Sequence, residues 1–522
     1  MSTTPLPAGS LRATSLNAAR RATELTAAAE DVLDLLVVGG GVTGSGIALD
    51  AASRGLRVAL VEADDLGRGA TRWCGEAVHG GPRGLAPGDL ALARENAVGR
   101  DVLMTRTAPH LVRTLPQLIP LHDGTTRRAE AVLTAGMHAA DALRRTARTP
   151  SALLPPPRRV PAAEAGALVP GLRGDGLRGG LLGYDGQLLD DARLVVALAR
   201  TAAGFGARVL TRVRATALDR HGADAVDERT GQRLRLSARA VVNATGARAA
   251  ELDPEVRLRT VRAAHLVVDA DAAGITATGL VLPTESGRCT ALLPQADGTA
   301  LLGLAAEPAT GPVAAEVPES DVDALLDAVR DALDVPLRRE HVLGSFAALR
   351  PRYDDSAGNR QDSADLFRKH AIRTSPDGVV TVVGGRTTGY RRQAAEAVDT
   401  AVRAAGLPAG PSRTTAVPLV GAAERARLNQ IDGPQRLVAR HGTEAARVAA
   451  LAELDPELAD PVASGTELTA AEVLWAVRHE GALDADDVLD RRSRLGMHPA
   501  LRARAAPAVT ALVDKALHGL LG

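Results

Sequence analysis

Gly39, Gly41 and Gly44 stand at G-x-G-x-x-G spacing within DLLVVGGGVTGSGIALDAASRGLRVALVE, residues 34–62. Glycines so placed do three things at a dinucleotide. The first permits a sharp turn, the second lets backbone approach a pyrophosphate, and the third lets a helix lie close to a strand. A helix opening there points free N–H groups and partial positive charge at the phosphates. Glu62 ends the next apolar run, where a carboxylate can accept hydrogen bonds from ribose hydroxyls. That acid disfavours a 2′-phosphate, and so NADP; on this motif alone FAD and NAD both remain open.

Glycines alone make no such site in a chain holding 52 of them, so the flanking elements must. Leu35 to Val38 is an apolar run, Ser45 to Ser53 is helix-compatible, Gly55 ends that helix, and Val58 to Val61 is a second apolar run. Strand, tight turn, helix and strand make one βαβ unit of about 30 residues.

The 522 residues suffice for two or three domains. Lys+Arg and Asp+Glu are each 62, so no nucleic-acid surface is implied. Aromatic content of 2% argues against base-stacking platforms and leaves Ala, Val and Leu to build the core. Cys74 and Cys289 lack a partner motif, which implies neither a disulfide framework nor a metal site and fits a reducing cytoplasm. Neither a membrane-spanning apolar run nor a signal-peptide pattern is present in the sequence.

Residues 1–30 read as a frayed tail ending in a helix, Leu16 to Glu30. Residues 64–85 gather Arg68, Arg72, His79, Gly80, Gly81 and Arg83, either an ordinary polar loop or a second cofactor-binding loop. Residues 86–150 alternate helix-forming runs with Pro109, Pro116 and Pro120, and Ser151 to Gly183 reads as a long surface connection. Asp190 to Ala203 has helical spacing. Ala240 to Val242 is a strand entering the small-residue turn Asn243 to Gly246. Leu258 to Asp269, Gly279 to Leu282, Thr290 to Leu293 and Ala300 to Leu304 predict an antiparallel sheet, a floor for a substrate pocket. Asp321 to Leu333 is an amphipathic helix; Val379 to Val383 is a buried strand before Gly384 and Gly385, with a helix over Arg386 to Ala405. Leu407 to Pro411 marks a linker. Helices follow to the end, with Leu468, Val473, Leu474 and Val477 as a core-facing stripe.

From Asp34 to Met497 these segments, in order, resemble the FAD-dependent glycerol-3-phosphate dehydrogenases. The segments are WCGEAVHGGPRGL (Trp73 to Leu85), APHLVRTLPQLIPL (Ala108 to Leu121), YDGQLLDDARLVVALA (Tyr184 to Ala199) and RAVVNATGARA (Arg239 to Ala249). Arg262 to Asp269, Ser345 to Asp355, Val380 to Arg391 and Glu472 to Met497 continue the series. The resemblance implies an α/β fold: a Rossmann-type FAD-binding domain, an antiparallel-sheet substrate domain and a C-terminal all-helical domain. Its boundaries would be a tail over 1–30, an oxidoreductase region over 31–405 and the helical domain over 406–522. Within the middle region, 31–120, 185–255 and 340–405 would bind FAD, and the substrate cap would be mainly 256–340.

The implied reaction is oxidation of sn-glycerol 3-phosphate to dihydroxyacetone phosphate, with hydride passing to flavin and electrons to a quinone. It implies FAD held by Gly39, Gly41, Val42, Thr43, Gly44, Glu62, Thr71, Arg72, His79, Gly80, Gly81, Val213, Ala244, Gly246, Gly385 and Thr388. Arg83, His265, Arg350, Arg386 and Tyr390 would bind substrate, with His265 as general base and Arg350 and Arg386 beside it in catalysis. Arginine suits a phosphate because its planar fork donates two parallel bonds. No metal is implied. A cytoplasmic enzyme, peripheral contact with the inner face of the membrane and a homodimer are compatible with the resemblance.

The chain also departs from the family pattern. Gly75-Glu76 replaces Ser-Lys, Pro82 and Gly84 flank Arg83, Arg386 replaces Lys and Gly389 replaces Thr. Gly303-Leu304-Ala305-Ala306 replaces a GTTD-like turn, and Arg352 replaces Leu. Glu76 beside a phosphate needs a compensating cation, for which Arg72 and Arg352 are the candidates. Three explanations follow: the same substrate in a rearranged site, a different polyol, hydroxy acid or amine, or a flavin-binding protein without turnover.

Overall fold

The computed structural model describes residues 10–78, 90–284, 289–303, 307–308, 317–354 and 370–521. The first strand, Val32–Val38, is apolar at all but one position, and Leu35, Leu36 and Val37 are fully buried. A run apolar on both faces belongs inside a parallel sheet. It pairs in parallel with Val58–Glu62 on one side and Arg233–Asn243 on the other. Arg208–Thr211 and Val380–Gly384 extend the sheet in parallel outward, and His370–Thr374 closes it antiparallel. Leu35 and Val37 enter a core shared with helices Val42–Ser53, Asp191–Gly204 and Tyr390–Ala405. Leu33, Leu36 and Val38 enter another, which includes Ala28 of the N-terminal helix, Ala18–Glu30. Helices thus cover both faces of a doubly wound sheet, and the glycine turn falls at the carboxyl end of its central strand.

The second sheet is antiparallel except where Gly279–Pro283 meets Val112–His122. Leu258–Asp269 pairs with Thr299–Gly303 on one edge and Val342–Tyr353 on the other. Leu266 and Val268 point into a core with helix Glu319–Arg330, while Val267 and Phe346 face Met497 of the C-terminal region.

Two expectations need correction. The sheet also draws on Val112–His122, Arg158–Val160 and Leu177–Leu188, which lie in stretches read as helical runs and as a surface connection. Val112, Leu115, Leu118 and Leu121 are the buried positions of the first, a spacing of three that imitates a helix. Pairing along its length with Leu177–Leu188 decides the matter. Residues 10–30 are not a frayed tail either. Arg21 pairs with Asp227 at 2.5 Å, Ser15 hydrogen-bonds His479 Nδ1 at 2.8 Å, and the Leu16 N–H donates to the His479 carbonyl at 3.1 Å.

The last hundred residues are helical as expected. Leu468, Val473 and Val477 pack with Val509 and Val513, and Leu474 lies against them. Buried bidentate pairs, Arg193 with Glu480 and Arg200 with Glu444, fasten this domain to helix Asp191–Gly204. Among the described residues no helix is long and apolar enough to cross a membrane.

Candidate active site

The three motif glycines have different surroundings. A Cβ on Gly39, whose φ is +111°, would lie 2.6 Å from the Ala244 carbonyl oxygen; one on Gly44 would lie 1.8 Å from the Gly39 oxygen. These two hold turn, helix and the Ala244 strand end together, and the Ala244 N–H donates to Val38 at 2.8 Å. Gly41 is different: its Cβ would meet only Thr71 Oγ1, at 3.4 Å. Gly41 also N-caps helix Val42–Ser53, with no side chain as cap. The Val42 N–H donates to Thr71 Oγ1 at 3.2 Å, leaving the amides of Thr43 and Gly44 for an anion. Gly246, at φ +63°, likewise has open space around its Cβ position. The cradle is packed where helix must meet strand and open where a pyrophosphate needs room, so the residues fit a dinucleotide. Glu62 is fixed at the strand end, accepting from Gly40 N–H at 2.6 Å and Asp64 N–H at 2.9 Å. Burial raises its pKa despite those bonds.

A second glycine turn faces the first. A Cβ on Gly385 (φ +96°) would collide with Gln393 Nε2 at 1.5 Å, and the Gln393 Oε1 accepts from Thr43 Oγ1 at 3.4 Å. The buried Gln393 amide therefore ties both turns together; its place one turn into the helix after Gly384-Gly385 was the signal that could have marked it. Arg386 opens the short turn Thr387–Gly389. Thr388 Oγ1 donates to Asn96 at 2.7 Å, and a Cβ on Gly99 would meet the Thr388 oxygen at 2.0 Å. Tyr390 is 4% exposed and packs against Gly46, where a Cβ would lie 2.8 Å from its ring. Burial pushes its phenol up to about 12. Its side chain thus belongs to the packing of helix on helix rather than to the His265 face. Val213 lies in the core beneath the N-terminal helix, at the start of strand Val213–Asp219.

Strand register assembles the other half. His265 lies opposite Phe346 and Gly303, and Val261 lies opposite Arg350. Residues two or four apart on a strand share a face, so His265, Phe346 and Arg350 line one side of the sheet. The His265 ring stacks on Phe346, with centroids 5.0 Å apart at 13°. Gly303 and Gly75 make room for it: their Cβ positions fall 2.5 Å from His265 Cδ2 and 3.0 Å from Nε2. Burial first, and then the Arg350 charge, press its pKa down to about 3. The imidazole is therefore neutral, with a lone pair able to accept a proton. Burial pushes the neighbouring Cys74 thiol up to about 12, against the pull of Arg350.

Glu76 is 1% exposed, with φ +53°. Burial pushes its carboxyl up to about 8, and Asp191 nearby up to about 7. Among the described residues the cation paired with Glu76 is Arg494, from the C-terminal domain, and the charge of Arg72 adds a weaker pull. Arg72 is buried, hydrogen-bonded through Nε to the Asp490 carbonyl and lying 5.5 Å from the centre of the Trp73 ring. Sequence reading missed Arg494 because 418 positions separate it from Glu76. His79, Gly80, Gly81, Arg83, Leu304, Ala305 and Ala306 lie outside the described residues, as does the side chain of Arg352. Among the described residues no group of acidic, His and Cys side chains could hold a metal ion.

Comparison with known proteins agrees with this geometry. Residues 34–391 match the family described as FAD dependent oxidoreductase, and residues 412–518 match the C-terminal domain of alpha-glycerophosphate oxidase. A Mycobacterium tuberculosis protein named glycerol-3-phosphate dehydrogenase 1 is 47% identical over 498 residues, covering 94% of this chain and 96% of its own. A mitochondrial glycerol-3-phosphate dehydrogenase of Arabidopsis thaliana is 31% identical, covering 90% of this chain and 80% of its own. The fold matches a crystal structure of the Bacillus halodurans glycerol-3-phosphate dehydrogenase complexed with FAD. That match has a TM-score of 0.73 at 23% identity, covering 97% of this chain and 96% of that one. With residues 34–391 and 412–518 matched and a relative 47% identical over nearly its whole length, the chain belongs to the FAD-dependent oxidoreductase family, in its glycerol-3-phosphate dehydrogenase branch.

Proposed function

We propose that this protein oxidises sn-glycerol 3-phosphate at C2 to dihydroxyacetone phosphate. The observation that carries the reading is the 47% identity, over nearly the whole of both chains, to a protein named for that activity. FAD, when bound, supplies the hydride acceptor. The amides of Thr43 and Gly44 at the Gly41 turn would hold its pyrophosphate, and Glu62 would accept from its ribose hydroxyls. Arg350, with Arg83 and Arg386, holds the substrate phosphate. Thr388 and Tyr390 act from behind, fixing the turn that carries Arg386.

His265 Nε2 takes the proton of the C2 hydroxyl while the C2 hydrogen leaves as hydride. A base held near 3 is weak, but part of that depression comes from the Arg350 charge. A phosphate dianion on Arg350 offsets that charge, so substrate binding strengthens the base that must act on it. Electrons then pass to a quinone-type acceptor at the inner face of the membrane, which the protein reaches peripherally from the cytoplasm.

The test is anaerobic. Adding sn-glycerol 3-phosphate to the flavin-loaded protein should bleach the oxidised flavin band, and a soluble quinone analogue should restore it. A band unchanged by glycerol 3-phosphate, but bleached by another polyol, hydroxy acid or amine, would refute the assignment. Recovery with dioxygen and not with the quinone analogue would overturn the acceptor.

A further inference from the structure

The segment from Arg72 to Glu76 lies directly on the His265 face. Trp73 packs on Phe346 with ring centroids 5.4 Å apart. Cys74 lies beside Arg350, and the Gly75 backbone passes alongside His265 Nε2, its absent side chain leaving that atom room, since a Cβ there would lie 3.0 Å away. Glu76 ends the segment in a left-handed conformation that an L-residue adopts only when its surroundings impose it. Three contacts do so. The Glu76 carbonyl accepts from Leu188 N–H at 2.7 Å, its own N–H donates to the Asp191 carboxylate, and its side chain accepts from Arg494 Nη1.

Arg494 reaches further. Its Nε donates to Asp297 Oδ2 at 2.8 Å, in the turn joining Cys289–Pro294 to Thr299–Gly303. Thr299–Gly303 ends at Gly303, the glycine that makes room for His265. The fork of one guanidinium therefore joins three parts of the molecule: the loop from the FAD-binding domain, the substrate sheet and the C-terminal helical domain. A lysine ammonium, as a single point of charge, does not reproduce that planar two-carboxylate geometry.

We infer that Arg494 is a positioning residue of the active site: by holding Glu76 and Asp297 together it fixes the slot in which Gly75 and Gly303 present the His265 ring. The claim rests on the role proposed above for His265, and it assigns the C-terminal domain a part in catalysis. It also accounts for Gly75-Glu76 where the family carries Ser-Lys: the carboxyl here is received by a guanidinium from another domain.

The experiment compares Arg494→Met and Arg494→Lys with the parent, all purified with FAD. Anaerobic stopped-flow gives the limiting rate of flavin reduction and its half-saturating glycerol 3-phosphate concentration. In Arg494→Met we expect flavin content near the parent's and a limiting rate lower by roughly 100-fold, the scale of an ångström of misplacement at a reacting centre. Half-saturation should change less, because Arg494 itself bonds Glu76 and Asp297 and not Arg350, the described arginine of the His265 face. Arg494→Lys should recover part of the rate.

A second readout needs no substrate. With Cys289 replaced by Ser throughout, Cys74 is the remaining thiol, and a disulfide reagent should label it about tenfold faster in Arg494→Met as the segment loosens. Parent-like reduction and parent-like labelling in Arg494→Met would overturn the inference. Faster labelling in a protein whose parent form glycerol 3-phosphate does not reduce would support the clamp while refuting the substrate. Should Arg494→Met fail to fold, Arg494→Lys carries the test: parent-like rate and labelling in that variant would overturn the need for a fork.

Discussion

Gly41→Val separates cofactor binding from folding. A Cβ at Gly41 finds only Thr71 Oγ1 at 3.4 Å, ordinary contact, and φ there is −78°. The apoprotein should therefore lose no more than about 1 kcal/mol, the cost of a β-branched residue at an N-cap that glycine tolerates. The cofactor fares differently. The Val42 amide is committed to Thr71, so two first-turn amides, those of Thr43 and Gly44, would be left to receive the pyrophosphate. A hydrogen bond to a charged acceptor contributes about 1.5–3 kcal/mol, so pushing the anion off both weakens binding by roughly 3–6 kcal/mol, or about 10²–10⁴ in Kd. Titrating FAD into apoprotein, followed by flavin fluorescence, measures this; thermal unfolding of the same samples measures stability. Gly44→Ala is the contrasting case. Its Cβ must retreat from 1.8 Å to at least 3.0 Å from a backbone oxygen, so helix and strand must part and the apoprotein itself should be destabilised. Parent-like FAD affinity in Gly41→Val, or parent-like apoprotein stability in Gly44→Ala, would refute this division of labour.

Replacing His265 by Ala should slow anaerobic flavin reduction at least ~100-fold with flavin content retained, the usual scale of general acid–base work; unchanged kinetics would remove it from that role. Arg193→Met takes the bidentate partner from the buried Glu480 carboxylate, whose side chain is 1% exposed, leaving it Arg200 at 3.9 Å and His441 at 3.6 Å, and should cost about 3 kcal/mol in chemical denaturation. Asp297 is held down to about 2, mainly by Arg494 working against burial. Its stabilisation is present above the unfolded value near 4 and is lost as pH falls from there to 2. The stability gap between parent and Asp297→Asn should therefore be about 1–2 kcal/mol at pH 6, allowing for a side chain 32% exposed, and should close as pH falls through 2. A gap that widens on acidification would contradict the sign.

Local pattern made the nucleotide half readable. Glycine spacing, apolar runs and the acid at Glu62 are consequences of one strand, one turn and one helix following one another, so a window of thirty residues contains the argument. The strand Leu258–Asp269 and the helix after Gly385 were legible for the same reason, since side-chain period and flanking glycines mark them without reference to the rest of the chain. Where the local period misled, as at Val112–His122, the pairing partner lay some sixty residues on and outvoted it.

The tertiary structure alone decided which side chains complete the site. Gln393 reaches Thr43 across 350 positions, and Arg494 reaches Glu76 across 418 and Asp297 across 197. Tyr390 carries the chemistry of a ligand-binding residue, yet helix packing buries it beneath Gly46, while Arg72 is held to the Asp490 carbonyl through Nε alone. The physical reason is that buried polar groups must find partners wherever the packed chain offers them. Sequence spacing records which residues share an element; it holds no record of which elements meet.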